Sequence, residues 1–155
     1  MAYSLLVNTG KGSTDGTGVT TDAIDTTGAD FIVIAVSTYG GGADPTPTDS
    51  NGNTWSSLAQ SIDATGSRHR LFYVFNPTVG AGHTFTASGT SAFPTICVAA
   101  FSGSVSPVDG STGNVATTGT SIATGSVTPA EDNELIISGL TLNAINTVSV
   151  DSGMT

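Results

Sequence analysis

Asp49-Ser50-Asn51-Gly52-Asn53-Thr54-Trp55 is the string in this chain whose side chains come closest to a ligand set. Oxygen-bearing side chains at alternate positions, Asp49, Asn51 and Asn53, resemble the opening of a calcium loop. A calcium-binding helix–loop–helix would next require Gly at the sixth position and Glu at the twelfth. Thr54 and Gln60 stand there, and no helical pattern flanks them. Asn51-Gly52 is also a strong hairpin-turn signal, because both residues tolerate positive φ. The turn is the preferred reading, and calcium held by Asp49, Asn51 and Asn53 is its alternative. Trp55, the single Trp, follows at once. With Tyr39 and Tyr73 it forms the set of aromatic side chains on which a sugar ring would stack. The commoner role for an isolated Trp at a strand start is to anchor a core or an edge.

Other chemistry has less support. No Gly-x-Ser-x-Gly elbow occurs, and Ser is too frequent for any one hydroxyl to be singled out. His69 and His83 fall on separate expected strands. Cys97 is the only thiol, which argues against zinc and excludes an intrachain disulfide. Cys97 lies within the apolar run 96–101 and is expected to be a small buried hydrophobe. Arg68-His69-Arg70 reads as solvated charge at a strand end rather than as a patch for an acidic partner. A glycosidase needs two facing carboxylates. Glu131 and Glu134 sit beside a candidate helical turn, and Asp63 and Asp109 at strand ends, so none is expected to pair across a groove. The expectation is a protein that is not an enzyme.

The elements that must position these residues are strands. The chain holds 26 Thr, 19 Ser and 20 Gly among 155 residues, with 37% hydrophobic and 10% charged. Thr fits a pleated, half-buried surface and resists helix because its branched Cβ crowds the preceding turn. Apolar runs at 3–7, 31–39, 55–62, 70–75, 83–87, 96–101, 121–127, 134–142 and 147–150 are strand-length and bounded by turn residues. A weaker strand is expected at 19–24, and 40–53 reads as a loop. The fold class is therefore all-β: an antiparallel, jelly-roll-like sandwich of about nine or ten short strands in one domain over 1–155. Thr128-Pro129-Ala130-Glu131 supports at most one helical turn. The runs 31–36, 96–101 and 135–137 do not alternate, so both of their faces are expected to be covered, by loops of the chain or by neighbouring subunits.

Charge narrows the partners. Twelve acidic residues against Lys11, Arg68 and Arg70 give a net charge of −9, which repels phosphate backbones and anionic lipid. No nucleic acid and no membrane insertion are expected. Residues 1–8 carry no basic start and only a short apolar stretch, unlike a signal peptide.

Several strings in order resemble one group of domains: 31–37 with its Gly/Pro loop, then 49–55, Leu71-Phe72-Tyr73, 80–86, 96–103 and Thr128-Pro129 before Glu134-Leu135. They are similar to β-sandwich, jelly-roll-like domains of phage structural proteins and of secreted or surface proteins of bacteria. The resemblance covers residues 22–155, implies fold and setting, and carries no catalytic residue. It implies a virion or an extracellular, cell-surface location and an assembling structural subunit: a decoration, fibre or tail protein, or a filament. Copies of itself or other structural subunits would be its partners. The alternative is a carbohydrate-binding or adhesion module that meets surface glycans through Trp55. Domains of this kind continue beyond a stretch like Asp151-Ser152-Gly153, so a C-terminally incomplete sandwich, finished by a neighbour's strand, is a further expectation.

Overall fold

A computed structural model of the chain describes residues 3–14, 16, 18–40, 46–88, 92–103, 108–116, 119, 121–130, 134–142 and 147. Among the described residues nine strands form two antiparallel sheets, and there is no helix. They are β1 (Ser4–Gly12), β2 (Gly18–Thr20), β3 (Phe31–Tyr39), β4 (Thr46–Asp49), β5 (Ser56–Ser57), β6 (Ser61–Ile62), β7 (Ser67–Phe75), β8 (Phe85–Ser88) and β9 (Ala92–Ser102). The larger sheet runs β1-β9-β3-β7-β5, with β6 also on β7, and the smaller runs β2-β8-β4. The fold is an all-β sandwich.

Period-two side-chain geometry fixes which face each residue serves. Opposite one another on the inner face are Ile32, Val74 and Ala100, then Ile34, Phe72 and Val98, then Val36 and Ile96. These meet Val19, Phe85 and Ala87 of the smaller sheet in one core cluster, against which Trp55, Val7 and Ile24 pack. The outer row of β3 is Phe31, Val33, Ala35 and Ser37. Phe31 and Val33 are themselves buried, which accounts for the non-alternating sequence of this strand. Phe31 stacks on Phe75 at 4.9 Å and lies 6.1 Å from Phe101, and Tyr73 meets Phe75 edge-on. Apolar contacts within the chain therefore cover that half of the outer face.

The structure corrects several expectations. β4 lies where a loop was expected; Pro47 is wholly buried there on an edge strand, a place that tolerates a missing N–H. The expected run 55–62 is broken into β5 and β6, both on β7, with Arg70 Nε donating to Leu58 O (2.8 Å) between them. Residues 121–130 and 134–142 form no strand, and 128–130 no helical turn. Glu131, 148–150 and the 151–153 stretch lie outside the described residues. Cys97 is exposed: β9 points Ile96, Val98 and Ala100 inward, and parity sends Cys97 outward beside Gly10. Phe93 is left-handed (φ 55°) near the irregular β3–β9 register, and its ring meets the half-exposed Tyr39 at 6.5 Å.

Candidate functional site

Two polar clusters sit against this frame, one between the sheets and one on the outer face. The first grows from the end of β4. Asp49 opens a turn in which Gly52 N donates to Asp49 O (3.3 Å), and Gly52 takes a φ of 74° that a Cβ would oppose. The expected Asn51-Gly52 turn is thus present, but it leads from the smaller sheet to the larger instead of closing a hairpin. The Asp49 side chain has no exposed surface. Its oxygens accept from Asn51 N (2.9 Å), Asn53 N (3.1 Å), Asn53 Nδ2 (3.0 Å), Trp55 Nε1 (2.9 Å) and His83 Nε2 (2.9 Å). The far side of the imidazole, His83 Nδ1, meets Thr26 Oγ1 at 2.9 Å. Gly80 N donates to that same hydroxyl.

The proton positions follow from the partners. A carboxylate only accepts, so His83 donates from Nε2 to Asp49. The Thr26 hydroxyl stands within hydrogen-bond reach of both His83 Nδ1 and Gly80 O (3.2 Å). The order carboxylate, imidazole, hydroxyl is that of a hydrolytic relay, yet Thr26 and His83 are both 0% exposed. A substrate reaches neither atom. What the line does is tie three separate loops to the end of β4 and the start of β8. His83 also stacks on Phe85 at 4.2 Å, and Trp55 meets Phe85 edge-on at 6.2 Å, so the knot and the apolar core are one packed unit.

The residues singled out in the sequence fall as follows. Asp49, Asn51 and Asn53 do come together, but Asp49 faces a ring of N–H donors, a setting built for an anion. Asn51 Nδ2 and Asn53 Nδ2 both donate to Thr78 O, and Thr78 N donates to Asn53 Oδ1 (2.6 Å). The three residues lock the turn onto the loop at Thr78. Trp55, Tyr39 and Tyr73 lie apart: Trp55 against the core, Tyr73 in the outer aromatic group, and Tyr39 at the end of β3. Asp63 accepts from Thr65 N and Ser67 N (both 2.8 Å) within its own turn, and Asp109 from Ala130 N (2.8 Å).

The second cluster lies where residues 134–142 cross the outer face. Exposure alternates along this segment, with Leu135, Ile137, Gly139 and Thr141 turned toward the sandwich. It is an extended strap. Ser37 Oγ meets His69 Nδ1 at 3.0 Å, Thr141 Oγ1 meets the same nitrogen at 3.2 Å, and Thr141 donates to Ser37 Oγ. His69 Nε2 is enclosed and has no hydrogen-bond partner among the described residues. A Cβ on Gly139 would clash with that nitrogen and stand 3.4 Å from Leu71 Cδ2. Gly139→Ala is therefore expected to lift the strap, at a cost of about 1–3 kcal/mol for overpacking. Faster amide exchange across 135–142 with β3 unchanged would report it, and unchanged exchange would refute the contact.

Both clusters respond to acid in the same direction. Burial would raise the Asp49 carboxyl, but the donors from His83, Asn51, Asn53 and Trp55 outweigh it and hold Asp49 below its ordinary 3.8. Burial holds His69 below its ordinary 6.5. A group with a lowered folded value stabilises fully above its unfolded value and loses that contribution as pH falls toward the folded one. The urea midpoint is expected to hold down to about pH 6.5, decline below it as unfolded His69 takes its proton, and fall again below about 3.8. His69→Gln removes the first decline and leaves the second. A midpoint that rises on acidification contradicts both assignments.

Sequence reasoning left His83 and Thr26 without a role and His69 as a charged strand end. Nothing local marks His83 as the partner of a carboxylate 34 positions away; only the oxygen-rich string at 49–53 hinted that something polar is held there. Comparison with protein-family models, curated sequences and solved structures finds no match to this chain.

Proposed function

We propose that this chain is a non-enzymatic structural subunit that assembles with copies of itself through its β-sandwich surfaces, on the outside of a virion or a cell. The observation that carries this reading is the set of large apolar side chains left at the surface along the last third of the chain. Val115, Ile122, Val127, Ile136, Leu140 and Leu142 are all exposed, although the sandwich has a closed core elsewhere. Where exposed apolar side chains gather into one patch, they mark a contact with another macromolecule. The sealing of Thr26 and His83 supports a structural role for the polar knot. The resemblance of 31–37, 49–55 and 96–103 to phage and bacterial surface domains supports a virion or extracellular setting. Electron microscopy of the concentrated protein tests the reading. Regular filaments, rings or lattices are expected, and dispersed single particles at every concentration would count against it.

A further inference from the structure

We infer that the open end of the inner face, between β3 and β7, binds a single carboxylate group carried by a small organic acid or an acidic sugar. The inference is independent of the assembly reading. Antiparallel register sets Val36 opposite Arg70 and Thr38 opposite Arg68. Val36 belongs to the core, so parity turns Thr38, Arg68 and Arg70 toward the same inner side. There they line a recess with Gln60 and Phe72 that holds about 190 Å³, counted with its open mouth. The chain has three Lys and Arg residues in all, and two of them meet here. No acidic residue lines the recess. Asp63, in the turn before β7, commits its oxygens to Thr65 and Ser67.

The donors are set before a ligand arrives. Arg70 Nε donates to Leu58 O at 2.8 Å, and the guanidinium carbon stands 5.5 Å from the centre of the Phe72 ring. These contacts fix the guanidinium plane while engaging one of its five N–H donors. Thr38 is 4% exposed, and its hydroxyl is buried with no hydrogen-bond partner among the described residues. A hydroxyl in that state costs stability, and beside a cation it calls for an acceptor from outside. A carboxylate meets these demands: its two oxygens match the guanidinium fork, and the Thr38 hydroxyl and Gln60 amide add donors. A metal cation is repelled by both arginines, and an apolar ligand leaves the donors unmet. The recess falls below the roughly 300 Å³ at which pockets for whole drug-sized ligands begin, so it admits a charged head and leaves the rest of the ligand outside. Polyanions are opposed by the net charge of −9.

Proton–nitrogen NMR of the full chain, titrated at constant ionic strength with sodium acetate, sodium glucuronate, glucose and sodium chloride, tests the site. Acetate is expected to shift the Arg70 Nε–H and Gln60 side-chain amide signals saturably, with glucose and chloride leaving them in place. A matching response to glucuronate upholds the site and extends it to acidic sugars, and a response to acetate alone upholds it for small acids. Thr38→Val keeps the shape and removes the unpartnered hydroxyl. It is expected to raise the melting midpoint yet weaken acetate binding about tenfold, a combination that a purely structural hydroxyl would not give. Arg70→Gln should abolish the saturable response, whereas Lys11→Gln, on the far edge strand β1, should keep it. Equal shifts with chloride, an acetate response that survives Arg70→Gln, or no saturable shift overturns the inference. Should Arg70→Gln fail to fold, Thr38→Val decides, and undiminished acetate binding there overturns it.

Discussion

Asp49→Ala is expected to lower the unfolding free energy by about 3–5 kcal/mol, because several buried donors lose their one charged acceptor, each at a cost of about 1–3 kcal/mol. The cost arises from what is left behind. Without the carboxylate, His83 Nε2, Trp55 Nε1 and the amides of Asn51 and Asn53 lose their acceptor. A side chain with no exposed surface leaves little room for water to replace it. Asn51 and Asn53 would keep their bonds to Thr78, so the turn should loosen instead of vanishing. Urea denaturation followed by Trp55 fluorescence reads both effects, since the indole reports on the altered site. A loss under about 1 kcal/mol would mean that the network is a surface contact, worth no more than an exposed pair.

Phe85→Ala is expected to cost a similar amount, about 3–5 kcal/mol, by a different route. Phe85 is 0% exposed and belongs to the central strand of the smaller sheet. Its ring separates the core cluster from the polar knot, stacking on His83 and receiving the edge of Trp55. Truncation leaves a cavity between the packed core cluster and a hydrogen-bonded imidazole, neither of which can collapse into it freely. Phe93→Ala is the matched control. That ring is half-exposed, so its removal should cost little by comparison. Because Phe85 and Asp49 share His83, the double variant should lose less than the sum of the singles. A strictly additive pair would show that the knot and the core are energetically separate.

How much of this was legible in the sequence differs by element, for physical reasons. β3 was read to the residue because a long β-branched run bounded by Gly and Asp has no other stable use. β7 and β9 were read short: Ser67-Arg68-His69 gives no apolar signal, and Pro94-Thr95 interrupts the apolar run at the start of β9. β4 was invisible: a strand of Thr-Pro-Thr-Asp reads as a turn, and only a place on a sheet edge lets Pro47 serve. The runs 121–127 and 134–142 carry strand-like composition yet make no ladder, because a period-two pattern specifies a surface and not a partner. Cys97 was misplaced by a general tendency of the residue type, where the parity of β9 decides. The carboxylate string at 49–53 was noticed, but the donors that fill it come from loops remote in sequence. Such closure is a property of the fold.

The measurement that bears most directly on the central claim is the mass of the native chain by light scattering across a wide concentration range. The assembly account predicts a mass that rises with concentration to a multiple of 15.4 kDa and returns to that single value in the Ile136→Lys, Leu140→Lys double variant. A wild-type chain that scatters as 15.4 kDa throughout would contradict it.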